Sequence, residues 1–551
     1  MRIRGLFPGR RALAAAVLSA VLLFLAYPPF SLVAPAFAAL VPFIWMLEEA
    51  AGTEGSGGIE ARRGQGGTPA RGYAGSPAGA GWVEVLRLGY WFGVLANGLV
   101  LYWLVVALWH FTPLSLAGYL AAVLVVLAPG WLVLALGFVL VRRRTGLPAW
   151  LVFPLLWTAL EWVAGHLGDL AFPWLGLGTS LTRVPTLVQF ADLGGARGVT
   201  LWLALVNALV YVALARRSWR PVALAAATGV AALAYGVWRE RTVVLRPVAT
   251  VAVLQPNVGF RDKWEAEKKD SLIAALLRQT EDAERLPGVG LIAWPEAAIP
   301  LFFTDSSSSR FYFDPQAMRW DARVRAEVAR LGTPVLAGGL DLEFSADGRA
   351  YDYFNAAFLF DSTGSRFLQP SYRKKYLVPI VERVPLLPPR WFGDLRWFGG
   401  YSRGDRFPVY RIAEGGFGVL ICYESIFEDL ARGYRRDGAD FLVNITNDSW
   451  FGRTVGPYQH AAHLVMRAIE TRMGVARAAN TGISQFVDPL GRVSGSTPLM
   501  VERIEAAPVL TSSLVTPYVR LGDWVAALAL AGTAALLLAA SIRKRSQGAA
   551  R

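Results

Sequence analysis

Apolar runs of membrane-spanning length fill the first 240 residues and constrain the fold more than any other feature. A helix needs about 20 predominantly apolar residues to cross the hydrocarbon core of a bilayer. Seven candidate runs precede residue 240 and one lies near the C-terminus: 12–27, 31–47, 88–109, 116–141, 148–165, 198–215, 221–238 and 521–541. Only 17% of the residues are charged, whereas a soluble protein has about 25%. The sequence therefore predicts a polytopic α-helical membrane bundle of about eight transmembrane helices.

The first run follows an arginine-rich segment, as a signal peptide would. No small-residue cleavage site follows it, and a second apolar run begins almost at once. We therefore expect the first helix to be retained and the bundle to occupy residues 1–240. Within it, segment 51–82 is rich in Gly, Ala and Ser without an apolar period, which predicts a flexible linker.

Basic residues cluster in every second connection between the runs. The clusters are Arg2, Arg4, Arg10 and Arg11; Arg62, Arg63 and Arg71; Arg142, Arg143 and Arg144; Arg216, Arg217 and Arg220; and Arg543, Lys544 and Arg545. The connections YPPF and HFTPLS carry none. Because cytoplasmic loops carry the excess of Lys and Arg, both termini and the linker are expected in the cytoplasm and residues 239–520 on the outer face. The net charge of +14 then follows from topology and gives no case for a nucleic-acid partner.

One ionisable residue, Glu161, lies inside the fifth apolar run. A carboxylate there is costly and often functional. The alternative is a position near the outer end of the helix, with its head group reaching the interface.

Residues 245–510 have a different pattern. Short apolar runs such as ATVAVLQ, VGLIAW, GVLIC and DFLVNIT alternate with helical patterns such as DARVRAEVARL and AAHLVMRAIETRM. Buried strands alternating with helices indicate an α/β domain. A domain of about 265 residues is long enough to bury a core of its own.

Three predicted strand ends in this domain carry residues that can do chemistry. LIAWPEAAIP contains Glu296, YRKKYLVPIVERVP contains Lys374, Lys375 and Glu382, and GVLICYESIF contains Cys422, the only cysteine of the chain. A lone cysteine is usually a small core residue. A cysteine at a strand-to-helix turn, however, lies near backbone N–H groups and a helix dipole that favour a thiolate and later an oxyanion.

Histidine, the usual base for a thiol, is scarce. His110 and His166 lie in the membrane region, and His460 and His463 lack the spacing of a helical zinc site. We therefore expect no metal, and a Cys–His protease pair is poorly supported. A glutamate base with a lysine cation is the remaining way to activate the thiol.

The order of these motifs resembles the Glu–Lys–Cys triad of the nitrilase superfamily, with WPE, YRKKYLVP and CYE as its three parts. Longer strings narrow the resemblance to the apolipoprotein N-acyltransferases, among them LQPNVGFRDKW (254–264), NITNDSWFG (444–452) and RAIETRMGVARAANTGIS (467–484). The resemblance covers the whole chain. It implies an eight-helix bundle with a periplasmic nitrilase-like αββα sandwich over 245–510 and a C-terminal transmembrane helix at 521–541, in a bacterial inner membrane.

The resemblance also assigns roles to individual residues. It implies a catalytic triad of Glu296, Lys374 and Cys422; Lys374 is preferred to Lys375 because the family places its lysine eight residues before the glutamate at 382. Further positions match residues that the family associates with the active site or substrate access: Glu382, Tyr423, Glu424, Trp264 and Asn355. LVPIVE replaces the commoner LVPFGE, which leaves the shape of the loop at Glu382 open.

The implied reaction transfers an acyl chain from a membrane phospholipid, through a cysteine thioester, to the α-amine of the N-terminal diacylglyceryl-cysteine of an apolipoprotein. It uses no cofactor. A membrane-tethered nitrilase-type amidase would use the same triad, and a transporter or scaffold whose outer domain only binds is a rival from another class. Structural roles also stay open: Glu296 as a helix cap, Lys374 as a surface cation, Glu382 in a loop salt bridge and Trp264 as a bilayer anchor.

The arginine pattern makes a testable prediction about topology. Reporter fusions after Ala70, Arg144 and Arg217 should show a cytoplasmic location, and fusions near Phe260 and Leu510 should show the outer side, because basic loops stay in the cytoplasm. Alkaline phosphatase and green fluorescent protein fusions at each site report the two sides. An outer-side signal at Arg144 would overturn this orientation.

Overall fold

A computed structural model of the protein describes residues 6–52, 80–109, 114–304, 314–345, 347–348, 351–385 and 400–548. The predicted linker at 51–82 lies outside the described residues apart from its ends, as does His110.

Within the described residues, ten α-helices precede the first strand: α1 (Arg10–Ala26), α2 (Val33–Ala36), α3 (Val41–Ala51), α4 (Trp82–Val100), α5 (Leu104–Trp109), α6 (Ser115–Ala121), α7 (Pro129–Thr145), α8 (Ala149–Ala164), α9 (Ala191–Arg216) and α10 (Arg220–Thr242). A π-helical segment, Ala122–Leu127, joins α6 to α7.

Strands and helices then alternate. The strands are β1 (Arg246–Gln255), β2 (Val289–Ala293), β3 (Phe302–Thr304), β4 (Val335–Phe344), β5 (Tyr351–Phe360), β6 (Tyr372–Arg373), β7 (Tyr410–Ile412), β8 (Gly415–Ile421), β9 (Phe441–Thr446), β10 (Gly474–Ala479), β11 (Gln485–Val487), β12 (Val493–Ser494) and β13 (Arg503–Thr511). The helices are α11 (Lys269–Glu284), α12 (Pro315–Leu331), α13 (Glu428–Arg436), α14 (Gly456–Thr471), α15 (Pro517–Leu521) and α16 (Trp524–Gly548).

Apolar helices long enough to cross a membrane are present, as predicted. Six described segments meet the length and composition of a span: Val33–Ala51, Trp82–Val100, Ser115–Thr145, Ala191–Arg216, Arg220–Thr242 and Trp524–Arg543. Two further apolar helices are shorter, α1 with 17 residues and α8 with 16. The membrane bundle is therefore confirmed, and the count of eight spans stays a prediction.

The third apolar run is not one helix. The sequence predicts a single span over 88–109, but α4 ends at Val100 and α5 begins at Leu104. Trp103, in the turn between them, is buried and donates its indole N–H to Gln459 Oε1 of α14 at 3.0 Å. The break turns this part of the bundle toward the α/β domain, a tertiary contact that hydropathy does not report.

Two sheets form the core of the α/β domain. The first has the order β13-β1-β2-β4-β5-β6, with β3 paired to β4, and the second has the order β12-β11-β10-β9-β8-β7. Strand β10 contacts β1 and β13 across the two sheets, while α11 and α12 contact the first sheet and α13 and α14 the second. This four-layer αββα sandwich, and the alternation of strands and helices, are confirmed.

Parallel strands place the candidate residues at one edge. Strands β1, β2 and β4 run parallel in the first sheet, and β8, β9 and β10 in the second. Strands β8 and β9 are buried over nearly their whole length, which explains their unbroken apolar sequence. Ligand sites in sheets of this kind form beyond the carboxyl ends of the strands.

Buried charges join the membrane bundle to the α/β domain. Arg197 of α9 pairs with Glu161 of α8 at 2.7 Å and with Glu428 of α13 at 3.0 Å. In α14, Arg467 pairs with Glu470 at 2.8 Å. Glu470 also accepts a hydrogen bond from the backbone N–H of Ala196 in α9 at 2.7 Å. These contacts fix the orientation of α9 relative to the second sheet and its helices.

Glu161 is fully engaged in this network. One carboxylate oxygen accepts the indole N–H of Trp157 at 2.8 Å and the backbone N–H of Leu177 at 2.9 Å. The other accepts hydrogen bonds from Arg197 at 2.7 Å and from the Thr200 hydroxyl at 2.8 Å. Glu161 is therefore a structural residue near the C-terminal end of α8.

Glu161→Ala should lower stability strongly, because it leaves the guanidinium of Arg197 buried without one of its two carboxylates. Breaking a buried ion pair in this way costs about 3–5 kcal/mol, and thermal unfolding of the detergent-solubilised protein measures it. Glu281→Ala removes only exposed pairs, with Arg285 and with Arg330, and should leave Tm near the wild-type value. An unchanged Tm for Glu161→Ala would show that the network does not hold the two parts together.

Candidate active site

Three strand ends meet at one cavity. Glu296 follows β2, Lys374 follows β6 and Cys422 follows β8, and all three side chains are buried in the wall of a cavity of about 1170 Å³. Asn355, Glu382, Tyr423 and Trp264 line the same cavity. The structure thus brings together seven of the eight residues expected at the site.

Lys374 lies between two carboxylates. Its Nζ donates to Glu382 Oε1 at 2.8 Å and to Glu296 Oε1 at 3.2 Å. The Asn355 amide donates to the same two oxygens, at 3.0 Å and 2.7 Å. Because Lys374 is only 1% exposed, it is not a solvated surface cation.

Backbone N–H groups hold the far side of both carboxylates. Glu296 Oε2 accepts the backbone N–H of Asn447 at 2.8 Å, and Glu382 Oε2 accepts that of Val378 at 2.8 Å. Glu382 therefore pairs with the lysine and also ties its own loop, while its role as a second catalytic carboxylate stays a prediction. The first sheet and the second meet at Glu296 through Asn447.

The charges of this cluster are set by burial and by each other. Burial raises the pKa of Glu296, but the charge of Lys374 and the hydrogen bond from Asn355 outweigh it and hold that pKa below its usual value. Burial lowers the pKa of Lys374, and the charges of Glu296 and Glu382 raise it well above its ordinary value. The resting pair is thus a carboxylate and an ammonium.

Cys422 is a neutral thiol at rest. Burial raises its pKa, the charge of Glu296 raises it further, and Lys374 opposes both only in part. A carboxylate with a low pKa is a weak base. Glu296 can therefore take the proton of this thiol only while negative charge develops on a bound substrate. Lys374 is placed to stabilise negative charge that forms on a substrate in the cavity.

The backbone of Cys422 is strained. Its φ is 51°, a left-handed conformation that costs a residue with a Cβ free energy and is concentrated at functional sites. The turn into the 3₁₀ helix Cys422–Ile426 imposes it. This sharp turn presents the thiol at the cavity instead of burying it between the sheets.

His460 supports that turn. Its Nε2 donates to the carbonyl oxygen of Cys422 at 3.0 Å, and its Nδ1 lies 3.0 Å from Asp448 Oδ1. Arg477 pairs with the other Asp448 oxygen at 2.8 Å. Burial raises the pKa of Asp448, but the charges of Arg477 and His460 lower it to about 2.

The donor atoms of Cys422, Asp448 and His460 lie within 4.8 Å of one another. This distance is short enough for the three residues to be considered as ligands of one metal ion. Both ring nitrogens of His460 are engaged, however, and Nε2 must carry a proton because a carbonyl oxygen can only accept. The hydrogen bonds therefore favour a positioning role for His460 and not metal ligation.

Glu424 lies behind the cavity, not in its wall. Its Oε1 accepts the backbone N–H of Lys375 and the hydroxyl of Tyr372, both at 2.7 Å, and its Oε2 accepts the backbone N–H of Ile421 at 2.7 Å. Burial raises the pKa of Glu424 to about 7, although these hydrogen bonds oppose the rise. The residue ties the segment carrying Lys374 to the strand carrying Cys422.

Tyr423 and Trp264 form parts of the cavity wall. The Tyr423 hydroxyl donates to the Ala171 carbonyl at 2.7 Å, which connects the cysteine turn to the loop after α8. Trp264 is 42% exposed and faces the cavity. Its large exposed indole suits both a contact with an apolar substrate and the interfacial anchor weighed from the sequence.

Part of the remaining wall of the cavity comes from the membrane bundle. Trp103 at the break after α4, residues of α5 and residues of the π-helical segment contribute apolar side chains: Leu104, Ala107, Leu108, Ala122, Val126 and Leu127. The cavity is larger than the roughly 300–1,000 Å³ usual for small-molecule sites. A buried nucleophile and an apolar passage lined by bundle residues thus share one space.

Two residues that bind the backbone of the site, His460 and Lys263, could not be identified from the sequence. His460 was considered only as a metal ligand or a base, and its contact with a backbone carbonyl has no sequence signal. Lys263 precedes Trp264 in a string that carries the resemblance, and its Nζ donates to the main-chain oxygen of Glu296 at 2.8 Å.

Known proteins share both parts of the chain. The carbon-nitrogen hydrolase family matches residues 250–512, and the apolipoprotein N-acyltransferase N-terminal domain matches residues 75–209. Together these matches define a carbon-nitrogen hydrolase domain carried on a membrane bundle.

Individual relatives narrow the class. An apolipoprotein N-acyltransferase of Geobacter metallireducens is 32% identical over 84% of this chain and 88% of its own length. One from Chlorobaculum tepidum is 32% identical over 73% of this chain and 79% of its own. Among solved structures, Saccharomyces cerevisiae Nit3 of the nitrilase superfamily covers 49% of this chain and 92% of its own, at 19% identity and a TM-score of 0.36. The chain belongs to the apolipoprotein N-acyltransferase family.

Lys374→Met should slow the alkylation of Cys422 by iodoacetamide, because the lysine charge lowers the pKa of the thiol and its loss raises that pKa further. If the thiol pKa rises by 1, about tenfold less thiolate is present at a given pH. Cys422 is the only cysteine, so intact-mass analysis follows a single site.

The matched control is Lys375→Met, which removes a neighbouring lysine that is 35% exposed and 3.6 Å from Asp429. It should react at the wild-type rate. The opposite result, slow alkylation with Lys375→Met and normal alkylation with Lys374→Met, would exchange the roles of the two lysines.

Proposed function

We propose that this protein N-acylates apolipoproteins, taking the acyl chain from a membrane phospholipid and carrying it as a thioester on Cys422. The observation that carries the proposal is the cavity, in which a buried Glu–Lys–Cys cluster opens onto apolar residues of the membrane bundle. Both substrates have acyl chains in the bilayer, and a catalytic site that shares a wall with the bundle suits them.

In the first half-reaction, Glu296 accepts the proton of the Cys422 thiol, and Sγ attacks the ester carbonyl of the phospholipid. Lys374 stabilises the oxyanion, together with the backbone N–H of Tyr423, which belongs to the first turn of a helix and has no partner within it. The C–O bond breaks, and the lysophospholipid oxygen leaves with the proton from Glu296. The products are a thioester on Cys422 and a lysophospholipid.

In the second half-reaction, the neutral α-amine of the diacylglyceryl-cysteine attacks the thioester carbonyl. Glu296 accepts a proton from the amine and returns it to the departing Cys422 sulfur. The C–N bond of an amide forms as the C–S bond breaks, which restores the free thiol. Neither half-reaction needs a metal or an organic cofactor.

The proposal includes an orientation. Residues 1–240 and 521–541 form the membrane-embedded part in the bacterial inner membrane, both termini lie in the cytoplasm, and the catalytic domain of residues 245–510 lies on the periplasmic side. The alternating arginine clusters support this arrangement.

The rival functions explain less of the molecule. A membrane-tethered amidase would use the same triad, but it would have no use for an apolar cavity wall supplied by the bundle. A transporter or scaffold would not need a strained cysteine beside a paired carboxylate and ammonium. The amidase is the alternative that experiment must exclude.

Phospholipid alone should add the mass of one acyl chain to the wild-type enzyme, because Cys422 is the only thiol that can hold it. Intact-mass spectrometry should show the adduct, and neutral hydroxylamine should remove it as it removes thioesters. A diacylated lipopeptide with a free N-terminus should discharge the acyl-enzyme, whereas its N-acetylated form should not, because the acetylated nitrogen is not nucleophilic.

Two substitutions complete this test. Cys422→Ala should form no adduct, and Cys422→Ser almost none, because an alcohol has a far higher pKa than a thiol and the carboxylate barely activates it. Transfer by Cys422→Ala at a rate comparable with wild type would exclude covalent catalysis. Wild-type enzyme that releases ammonia from small amides, but takes no acyl group from phospholipid, would identify the amidase.

A further inference from the structure

Lys263 is a second buried lysine beside the catalytic carboxylate. It lies in the 3₁₀ helix Asp262–Trp264, is 3% exposed, and donates from Nζ to the main-chain oxygen of Glu296 at 2.8 Å. Within the described part of the chain, no carboxylate oxygen lies within 4.0 Å of its Nζ. Its ammonium is therefore stabilised by one hydrogen bond to a carbonyl oxygen and by electrostatic attraction to the charged groups of the active site.

A buried ammonium without a direct ion pair is costly. Burial lowers the pKa of Lys263 to about 8, and the charge of Glu296 opposes that decrease. The structure keeps this lysine at a place where a neutral polar residue would also make the one hydrogen bond.

The backbone at Glu296 needs support. The next residue, Ala297, has a φ of 46°, a conformation that strains a residue with a Cβ. On one side the turn lies so close to Gly338 of β4 that a Cβ at that glycine would overlap the Pro295 carbonyl oxygen. The Lys263 ammonium binds the main-chain oxygen of Glu296 in the same turn, so the turn that carries the base contacts both β4 and this ammonium.

We propose that Lys263 is a positioning residue for the catalytic base: its ammonium fixes the main chain of Glu296 and places a second positive charge beside the carboxylate. Lys374 then remains free to serve the oxyanion while Glu296 stays ionised. Because Trp264 follows directly and lines the cavity, the same turn also connects the cavity wall to the base. The inference rests on the proposed function, since it assigns Glu296 the role of base.

The titratable groups around Glu296 come from several segments, and a test must separate their effects. They are Lys263, Lys374, Glu382, Tyr401 and Cys422. Of these, Lys263 and Lys374 lower the pKa of Glu296. Removal of Lys263 should therefore raise the pH at which Glu296 becomes ionised.

The experiment measures the rate of Cys422 acylation against pH for full-length enzyme in mixed micelles of phosphatidylethanolamine. Lys263→Met should move the acid limb of the profile to higher pH, with about tenfold loss of rate at the acidic end if the limb moves by one pH unit. The loss should shrink as the pH rises and Glu296 becomes ionised in both proteins. Lys263→Arg keeps the charge and should keep the shape of the wild-type profile.

The control is Lys268→Met, in the same segment. Lys268 is 44% exposed and pairs with Asp262 and with Glu265, both about half-exposed and outside the cavity, so its loss should leave the profile unchanged. A Lys263→Met profile that falls by one factor at every pH would reveal a merely structural residue and overturn the inference, as would a profile equal to wild type.

A second measurement needs no lipid substrate. Iodoacetamide alkylation of Cys422, followed by intact mass, should show the same displacement of the acid limb in Lys263→Met and its recovery in Lys263→Arg. If wild-type enzyme takes no acyl group from phospholipid, the proposed function fails, and alkylation still decides the role of Lys263. Equal alkylation profiles for wild type and Lys263→Met would exclude that role.

Discussion

The buried ammonium of Lys374 organises the active site. Lys374 has two carboxylates within hydrogen-bond distance and almost no access to water. In the proposed mechanism, Glu296 is the base and Glu382 compensates the charge of the lysine. Without Glu382, the lysine and Glu296 would neutralise each other as a simple ion pair, with less positive charge held in place for a developing oxyanion. With it, the cluster can keep Glu296 ionised and still present an ammonium to a substrate carbonyl.

Hydrogen bonds from the rest of the fold keep the residues of that cluster in position. Glu424 connects the segment of Lys374 to β8, Asn447 connects β9 to Glu296, and His460 holds the carbonyl of Cys422. Each contact runs from a side chain to a backbone group at the end of another strand. The geometry of the site is therefore a property of two packed sheets, and a small displacement of one sheet relative to the other would separate the thiol from its base.

The sequence predicted what local patterns encode. Hydropathy located membrane helices, the alternation of strands and helices indicated an α/β domain, and the strand-end motifs contained Glu296, the two adjacent lysines and Cys422. The family resemblance supplied the αββα sandwich and the choice of Lys374 over Lys375. The break after Val100 was missed because an apolar run does not show a turn that is stabilised by Trp103 and Gln459, which are far apart in sequence. Lys263 and His460 were missed for a related reason: each acts on a backbone carbonyl, and a carbonyl is the same in every residue.

The shared cavity makes the two parts of the chain chemically incomplete without each other. The α/β domain contains every ionisable group of the cluster, yet one side of its cavity is built from Trp103, Leu104 and the π-helical segment of the bundle. A fragment that began at residue 245 would lack the bundle residues of the cavity wall. Its thiol and the apolar side chains that line the cavity would be exposed to solvent. The membrane segments are thus part of the cavity that contains the thiol.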